Sequence, residues 1–421
     1  MIHVYIFDRE CVASNYGIGV YIAQIARSFN QTKNVTVNII KLYSEEAEYK
    51  MTYTGLFYLH EIPRIDQNAD VYEKLCWYLL KANVSFGQKN VICHFNYVDD
   101  LCLAQLIKNE YPNIQIVLTV HYQQWCFALD GNLDYFIENI LKKNPEDLPV
   151  IDRNIYKSFL REKLFYDCAD CVICLSEFTK NVIEKYYHVN EDKIVVLKNF
   201  VSDEYIRLSG ARRILLRNKY MFGSEEKLIL FVGRLNRIKG INFLIESFKK
   251  ILEEIANCRL LIVGDGDFQT CLKLGDKVWS KMIFFGYLER DELFDIYQIS
   301  DIGVLPSMHE QCSYTAIEMM MFGLPFITTD TTGLNEMAVS NELKVKLHYS
   351  NRNAYVSSDS LASKIIHLLN SENEGILFDK SRNSYLKYYA ENNSIKMELL
   401  YKSLFIFNKQ TDILKMKIKS K

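Results

Sequence analysis

Short apolar runs alternate with longer amphipathic segments along the whole chain, a pattern typical of parallel strands joined by crossover helices. In the first half, continuous apolar runs predict strands at 2–7, 35–40, 91–95, 114–120, 171–175 and 194–197. Between them, apolar residues recur at helical spacing, which predicts helices that include 71–80 and 99–108. The first half is therefore predicted to be a doubly wound α/β unit.

The same pattern starts again after a polar stretch at 202–213. The strand-like runs of the second half read KLILFVG, CRLLIVG, KMIFFG, DIGVLPS and LPFITT, with helices predicted at 242–255 and 293–300. Two Rossmann-like, doubly wound parallel-sheet domains are thus predicted, one over 1–204 and one over 205–400. A helical region is predicted over 376–407, and a basic tail over 401–421.

Length and composition agree with two packed domains. A chain of 421 residues exceeds the size at which a single hydrophobic core usually stops growing. Its 49% hydrophobic and 24% charged residues indicate a folded protein rather than a disordered one. A formal net charge of -2 gives no overall attraction to nucleic acid, so no nucleic-acid partner is expected.

The cysteines and the N-terminal sequence bear on metals and location. Eleven cysteines are scattered along the chain, and the Cys168 and Cys171 pair has no second pair at matching distance. Cys171 and Cys174 alternate inside an apolar run and are expected to be buried strand thiols, so no metal site is predicted. The start, MIHVYIFDRE, is predicted to be a strand rather than a signal peptide, and scattered thiols fit a reducing compartment, so a cytoplasmic location is expected.

The strongest chemical signal is the block LPSMHEQCSYTAIEMMMFGLPFITT, which contains Glu310 and Glu318. In parallel sheets, ligands bind beyond the carboxyl ends of the strands, where loops meet helix N-termini. Glu310 follows a predicted strand, and Glu318 lies about one turn into the next helix. Both carboxylates are suited to accept hydrogen bonds from sugar or ribose hydroxyls.

Between the two glutamates, Ser313, Tyr314 and Thr315 begin the predicted helix. Their backbone amides and hydroxyls are suited to bind a diphosphate. The alternative is structural: Ser313 or Thr315 caps the helix, and Glu318 completes a capping box. Both interpretations remain open from the sequence.

A second block, FVGRLNRIKGINFLIESF, places Arg234 and Lys239 after a strand and before a helix, directly after Gly233. Two fixed cations near a helix N-terminus can hold a pyrophosphate. They can also stabilise the charge that develops on a departing nucleoside diphosphate.

Weaker signals are the glycines and histidines that follow predicted strands. Gly17 and Gly19 follow the first strand, and Gly264 and Gly266 follow a strand of the second half; without a side chain they allow close approach of a ligand or a tight turn. His121 ends another strand, where a histidine is usually structural but can hydrogen-bond a transferred sugar.

Together these features resemble the family-4 retaining glycosyltransferases of the GT-B fold. The resemblance covers roughly residues 1–400, in matching order. It rests on Gly17 with Gly19, His121, Ser176 in CLSEF, Asn199 in VLKNFV, GRLNRIKG, VGDGD, FFGYL and the E-x7-E pattern that starts at Glu310.

This resemblance implies two domains that face each other across a cleft, with a nucleotide-sugar donor on the second and a hydroxyl acceptor on the first. It also implies that the C-terminal helix packs back on the first domain. Arg234 and Lys239 would contact the diphosphate, Glu318 the ribose and Glu310 the sugar ring. The implied reaction is retaining and hexosyltransferase-like, with the donor phosphate as base. It needs neither a metal ion nor a cofactor other than the donor substrate.

Two features depart from the family pattern. After Glu310 the family usually has glycine and an aromatic residue, whereas this chain has Gln311 and Cys312. A later paired glycine is represented only by TTGLNE, with Gly333 and Glu336. These departures leave the donor sugar open, and the acceptor and its linkage are open as well.

Two segments have no assigned role in this resemblance. The insertion at 130–152 and the residues just before it carry aromatic side chains such as Trp125, Phe127 and Tyr135, which suit either sugar stacking or a core. The end of the chain, ILKMKIKSK, alternates lysines with apolar residues. It is either a solvated terminus or a weak contact with an anionic inner membrane surface.

Two other functions are compatible with the same residues. A nucleotide-sugar epimerase of related fold would convert the sugar without an acceptor. A non-catalytic nucleotide-sugar-binding protein would hold the donor without turnover.

Overall fold

The computed structural model describes residues 1–11, 14, 16–29, 34–65, 67–206, 208–371, 374–390 and 392–405. The chain divides into two compact units. The first unit comprises Met1–Gln123, Arg153–Phe200 and the described residues from 392 onward. The second comprises Gln124–Asp152 and Val201–Ala390.

The secondary structure alternates between strands and helices throughout. The strands are β1 (Ile2–Arg9), β2 (Val35–Ser44), β3 (Lys50–Tyr53), β4 (Tyr58–Pro63), β5 (Val91–Phe95), β6 (Gln115–Val120), β7 (Cys171–Cys174), β8 (Ile194–Val196), β9 (Lys227–Val232), β10 (Cys258–Val263), β11 (Met282–Gly286), β12 (Ile302–Leu305), β13 (Phe326–Thr329), β14 (Lys344–Val345), β15 (Leu347–Ser350) and β16 (Asn353–Val356). The helices are α1 (Gly17–Phe29), α2 (Ala69–Asn83), α3 (Leu101–Glu110), α4 (Gln124–Ala128), α5 (Leu133–Tyr135), α6 (Val150–Cys168), α7 (Glu177–Tyr187), α8 (Gly210–Lys219), α9 (Ile241–Glu254), α10 (Phe268–Leu274), α11 (Arg290–Ile299), α12 (Tyr314–Met321), α13 (Leu334–Met337), α14 (Ser358–Leu369), α15 (Glu374–Tyr388) and α16 (Asn392–Ser403).

The sheet of the first unit has the strand order β3-β4-β2-β1-β5-β6-β7-β8. Its pairings are parallel, apart from the antiparallel pair of β3 with β4. At its centre, Val4 of β1 pairs with Val37 of β2 and Ile92 of β5. All three strands are rich in buried apolar residues because helices cover both faces of such a sheet.

Helix α16 belongs to the first unit although it ends the described chain. Its Tyr401 stacks on Phe29 of α1, with 5.3 Å between the ring centroids. The Tyr401 hydroxyl lies 2.5 Å from Nδ1 of His94 in β5. His94 Nε2 lies 2.7 Å from the hydroxyl of Thr119, so His94 is a satisfied core residue.

The sheet of the second unit has the order β11-β10-β9-β12-β13-β14 with parallel pairings, which is the Rossmann order. A separate antiparallel hairpin consists of β15 and β16. One face of α9 is buried in the core through residues that include Leu244, Ile245 and Phe248, and α14 adds Leu361 and Ile365.

The strand order of each sheet reverses at one point, and these points position the candidate sites. The reversal falls between β1 and β5 in the first unit and between β9 and β12 in the second. At such a point, neighbouring strands send their chains in opposite directions, which leaves a crevice beyond their carboxyl ends. The loops after β9 and β12 carry Lys239 and Glu310.

The structure confirms the doubly wound α/β fold, and each predicted strand is present with small shifts at its ends. The antiparallel pair of β3 and β4 was not predicted. Helix α15 ends at Tyr388 and α16 begins at Asn392, which divides the helical region predicted near the end of the chain.

The division of the chain differs from the predicted one in two places. Residues 124–152 belong to the second unit although they were predicted in the first domain, and the later passage between the units falls at 200/201 rather than 204/205. Helix α16 runs into the predicted tail as far as Ser403. Residues 406–421, and with them the lysines of the tail, lie outside the described residues. Within the described ranges, none of the helices combines the length and hydropathy of a membrane span.

Candidate functional site

The loops after β9 and β12 pack directly on each other in the second unit. The amide of Met308 donates to the carbonyl of Ile238 over 2.8 Å. Gly240, with φ of +71°, packs so closely that a β-carbon there would lie 2.0 Å from the carbonyl oxygen of Pro306. Because residue 240 has no side chain, the two loops can pack closely at the reversal point.

Lys239 and Glu310 form an ion pair between these loops. The Lys239 ammonium donates to Glu310 Oε1. The same oxygen accepts a hydrogen bond from the Ser307 hydroxyl over 3.2 Å. The side chains are 24% and 15% exposed, so both are held in place yet reachable from solvent. Two predicted site residues, one cationic and one acidic, are thus brought into contact.

The backbone at Glu310 is fixed by the loop after β13. The amide of Glu310 donates to the Thr332 hydroxyl over 3.1 Å, and that hydroxyl donates to the carbonyl of Glu310 over 2.6 Å. The amide of Gly333 donates to the same carbonyl over 2.8 Å. Thr332 and Ser307 were not predicted as site residues, because a hydroxyl in a loop gives no sequence signal without its partner.

Lys239 is positioned from its own loop by a short 3-10 helix, Arg237–Lys239. The side chain of Asn236 caps it by accepting from the Lys239 amide over 3.2 Å. Arg234 lies in the same loop, directly after Gly233, with its side chain partly exposed. The loop therefore presents both predicted cations near the start of α9.

The loops after two neighbouring strands, β9 and β10, contact each other through backbone atoms at Gly233, Gly264 and Gly266. A β-carbon on Gly264 would lie 2.2 Å from the carbonyl oxygen of Gly233, and one on Gly266 would lie 2.6 Å from that of Leu235. All three glycines have positive φ, at 156°, 126° and 143° in chain order. The packing of the loops is thus sufficient reason for glycine at residues 264 and 266.

Helix α12 begins at Tyr314, and Ser313 is its N-cap. The Ser313 hydroxyl accepts from the amide of Ala316 over 3.3 Å. The structural alternative is thus confirmed for Ser313, whereas Thr315 lies within the helix and does not cap it. Tyr314 and Thr315 remain partly exposed in the first turn.

Glu318 is held by Tyr297 of α11. The Tyr297 hydroxyl donates to Glu318 Oε2 over 2.8 Å, so Glu318 does not complete a capping box. Burial raises the pKa of Glu318 to about 6, against the opposing effects of the Tyr297 hydrogen bond and the Arg290 charge. Tyr297 lies 21 residues away in sequence, so no local pattern indicated the contact.

His309, next to Glu310, is also buried. Desolvation lowers the pKa of its imidazole to about 4, so this side chain is neutral near pH 7. Its ring meets Phe127 edge-on, with 5.8 Å between the centroids. His309 is therefore a neutral, buried neighbour of Glu310 in the loop after β12.

The remaining predicted site residues lie in the first unit. His121 directly follows β6, and its Nε2 lies 2.9 Å from Oδ1 of Asn96. Because Asn96 Nδ2 donates to the carbonyl of Phe7 over 3.0 Å, its oxygen must face His121, so Nε2 carries the proton. Burial, together with nearby His94, lowers the pKa of His121 to about 3. His121 is thus a neutral side chain whose Nδ1 is the hydrogen-bond acceptor.

Gly17 and Gly19 form the first turn of α1, beyond the carboxyl end of β1. A β-carbon on Gly19 would lie 1.8 Å from the carbonyl oxygen of Ser14. Close backbone packing therefore explains glycine at residue 19.

Two further observations concern metal and thiol chemistry. Among the residues that the structure describes, no group of three or more His, Cys, Asp or Glu side chains could hold a metal ion. Cys171 and Cys174 are buried thiols in β7, as predicted.

The chain is similar to known glycosyltransferases in sequence and in fold. Two family models match the chain: Glycosyltransferase Family 4 over residues 16–205 and Glycosyl transferases group 1 over residues 213–392. An uncharacterized glycosyltransferase of Methanocaldococcus jannaschii is 36% identical over 173 residues, which cover 39% of this chain and 44% of that protein. The chain spans less than half the length of this relative and of two other curated relatives that it matches.

Solved structures extend the similarity to nearly the whole chain at the level of fold. Sucrose-phosphate synthase from Thermosynechococcus elongatus has a TM-score of 0.75 at 17% identity, covering 96% of this chain and 99% of that one. Anabaena HepE, solved in complex with UDP and glucose, has a TM-score of 0.68 at 13% identity, covering 96% and 100%.

Proposed function

The chain belongs to the family-4 glycosyltransferases (glycosyl transferases group 1) and has the GT-B fold, and we propose that it transfers a sugar from a nucleotide-sugar donor to an acceptor hydroxyl with retention of configuration. The observation that carries this proposal is the contact of Lys239 with Glu310 at the reversal point of the second sheet. A cation and a carboxylate at that place suit the two ends of a diphospho-sugar.

In this proposal the second unit binds the donor. Arg234 and Lys239 bind the diphosphate, with backbone amides of the first turn of α12 as further donors. Glu310 accepts hydrogen bonds from the sugar ring, and Glu318 accepts them from the ribose. A nucleotide ligand in a protein of the same fold supports this choice of donor, since Anabaena HepE was solved with UDP and glucose.

The proposed chemistry breaks the bond between the anomeric carbon and the phosphate oxygen, and the diphosphate leaves with the electron pair. The acceptor oxygen bonds to the same face of the anomeric carbon and passes its proton to the departing phosphate. No side chain is then required as general base. Arg234 and Lys239 stabilise the charge on the leaving group, a task for which other enzymes use a metal ion.

The role proposed for His121 is to accept a hydrogen bond from a hydroxyl of the transferred sugar. Its low pKa excludes it as a general acid near pH 7, and its proton on Nε2 leaves Nδ1 as acceptor. The acceptor substrate is proposed to be a carbohydrate or another molecule with a free hydroxyl. We place the reaction in the cytoplasm, a reducing compartment, because the eleven cysteines are scattered along the chain.

Donor binding is the first test. We expect at least one of the common nucleotide sugars to raise the melting temperature of the purified protein, because a ligand that binds only the folded state stabilises it. Arg234→Ala should abolish the shift. The melting temperature is measured by thermal shift with a panel of UDP-, GDP-, ADP- and dTDP-sugars, and no shift with any of them would contradict the proposal.

Product analysis separates sugar transfer from epimerisation, because epimerisation converts the sugar without an acceptor.

The pH dependence of donor binding tests the role of Glu318. Its pKa of about 6 means that the carboxylate is charged at pH 7 and mostly protonated at pH 5, where it accepts ribose hydrogen bonds poorly. We expect affinity for the nucleotide sugar to fall by up to about tenfold over this range, in proportion to the charged fraction.

The control for this experiment is Glu318→Gln, which should bind more weakly at pH 7 and lose most of the pH dependence. A nucleotide sugar is the better probe, since the terminal phosphate of a nucleoside diphosphate itself titrates near a pH of about 6. An equal pH dependence in the variant would assign the titration to another group.

A further inference from the structure

The segment Gln124–Asp152 lies between β6 and β7 in sequence but belongs to the second unit. Inside the segment, Trp125 stacks on Phe136 with 4.8 Å between centroids, so both rings are core residues. The side-chain Nδ2 of Asn132 donates to the carbonyl of Asn351 over 2.8 Å. The segment is therefore anchored to the loop between β15 and β16.

A second anchor lies at the end of the segment. Arg352 donates to Asp152 Oδ2 over 2.9 Å, and the Tyr135 hydroxyl donates to the same oxygen over 3.2 Å. The side chain of Asp152 is almost fully buried. Buried, hydrogen-bonded charges of this kind define one position for the segment against the hairpin of β15 and β16.

Just before the first anchor, the chain turns sharply at Asp130 and Gly131, with φ values of 50° and 76°. A β-carbon on Gly131 would lie 3.1 Å from the carbonyl oxygen of Met308. The Thr331 hydroxyl donates to that same carbonyl over 2.6 Å. The turn thus packs against the loop after β12, two residues before Glu310.

Asp130 connects this turn to the loop after β9. Its Oδ2 accepts from both terminal nitrogens of Arg237, with Nη1 at 2.7 Å, and from the amide of Ala354 at 2.8 Å. Asp130 is 6% exposed and Arg237 is 50% exposed. Arg237 opens the 3-10 helix that ends with Lys239, and its Nη2 also donates to Asn353 Oδ1 over 2.9 Å.

We propose that Asp130 is a positioning residue of the donor site: by holding Arg237, it fixes the helical turn that places the Lys239 ammonium for the donor diphosphate. This inference rests on the proposed function. A segment from the first half of the sequence therefore contributes a positioning residue to the donor-binding unit. A contact through both terminal nitrogens suits this role because it orients the planar guanidinium, whereas a single hydrogen bond would leave the turn free to rotate.

Nucleoside diphosphate affinity separates this role from a merely structural one. UDP, GDP and ADP are titrated by calorimetry into the full-length wild type, Asp130→Asn, Arg237→Gln and the double variant. Each single variant is expected to bind the preferred nucleotide about tenfold more weakly, since the cation is retained but no longer held. The double variant should be no worse than the singles, because both changes remove one contact.

A matched control is the pair of Glu226 and Arg259, which also joins a mostly buried carboxylate to a partly exposed arginine in the second unit. Glu226→Gln should lower the melting temperature while leaving nucleotide affinity unchanged. Wild-type affinity in both Asp130→Asn and Arg237→Gln would overturn the inference, as would an equal loss of affinity in Glu226→Gln at a similar fall in melting temperature.

Failure of the proposed function has a different signature. In that case the wild type binds none of the three nucleotides, and the inference falls with it. If Arg234→Ala abolishes binding while Asp130→Asn does not weaken it, donor binding stands and the positioning role alone is rejected.

Discussion

Replacing Lys239 with alanine is expected to lower the rate of sugar transfer about a hundredfold, the usual effect of removing one preorganised group that stabilises developing charge. The structure gives two reasons for this loss of activity. The departing diphosphate loses a cation, and Glu310 loses the ammonium that neutralises it. The uncompensated carboxylate then faces a dianionic substrate, so donor affinity should fall as well.

The measurement is release of nucleoside diphosphate from the donor identified by the thermal screen, with and without acceptor. Lys249→Ala is the matched control, because Lys249 is also a partly exposed lysine of the second unit, paired with Glu246 at 3.0 Å. That variant should retain wild-type rates. Comparable losses in the two variants would show that Lys239 acts only through folding or overall charge.

Glu310→Gln separates the two roles of the ion pair. Glutamine keeps the size of the side chain and frees Lys239 for the diphosphate, so KM for the donor should not rise. If Glu310 contacts the sugar in the transition state, kcat should fall while KM stays constant or decreases. An increase in KM alone would restrict Glu310 to binding the ground state of the donor.

The fold could be predicted from the sequence because its strands are buried on both faces. Runs such as KLILFVG and CRLLIVG carry a continuous apolar signal, and the polar residues that follow them mark the loops at the carboxyl edge. The prediction of Lys239 and Glu310 rests on the same logic, since residues after neighbouring parallel strands meet at one edge. The sequence could not give the strength of their contact, which depends on the rotamers of both side chains.

The partners of the site residues were not predictable, because they are distant in sequence. Tyr297 contacts Glu318 from another helix, and Thr332 fixes the backbone of Glu310 from the next strand-end loop. Asp130 reaches Arg237 across 107 residues. Such pairs depend on tertiary packing, so one sequence without its fold assigns no specific role to an isolated hydroxyl or carboxylate.

The glycines illustrate how one sequence signal admits two physical causes. Glycine after a strand was interpreted as room for a ligand or for a tight turn, and Gly264 and Gly266 also leave room for the neighbouring strand-end loop. Gly333 belongs to the same class, although its role was unassigned. Its φ of -68° is accessible to any residue, so only the space around it requires glycine.

The surroundings of Gly333 are the backbone of the site itself. A β-carbon there would lie 1.7 Å from the carbonyl oxygen of Gln311 and 2.9 Å from that of Glu310. Both atoms belong to the loop that carries the Glu310 carboxylate, and the Gly333 amide already donates to the Glu310 carbonyl. An added methyl group can be accommodated only if this loop moves away.

Gly333→Ala is therefore expected to lower the free energy of unfolding by about 3 kcal/mol or more, at the upper end of overpacking effects. The melting temperature should fall by roughly 6–12 °C, and nucleotide affinity should fall with it as Glu310 is displaced. Gly210→Ala is the control, since nothing lies within 4 Å of a β-carbon at that helix start; it should be neutral or slightly stabilising. A Gly333→Ala protein that melts and binds nucleotide like the wild type would refute the expectation that a rigid loop holds Glu310.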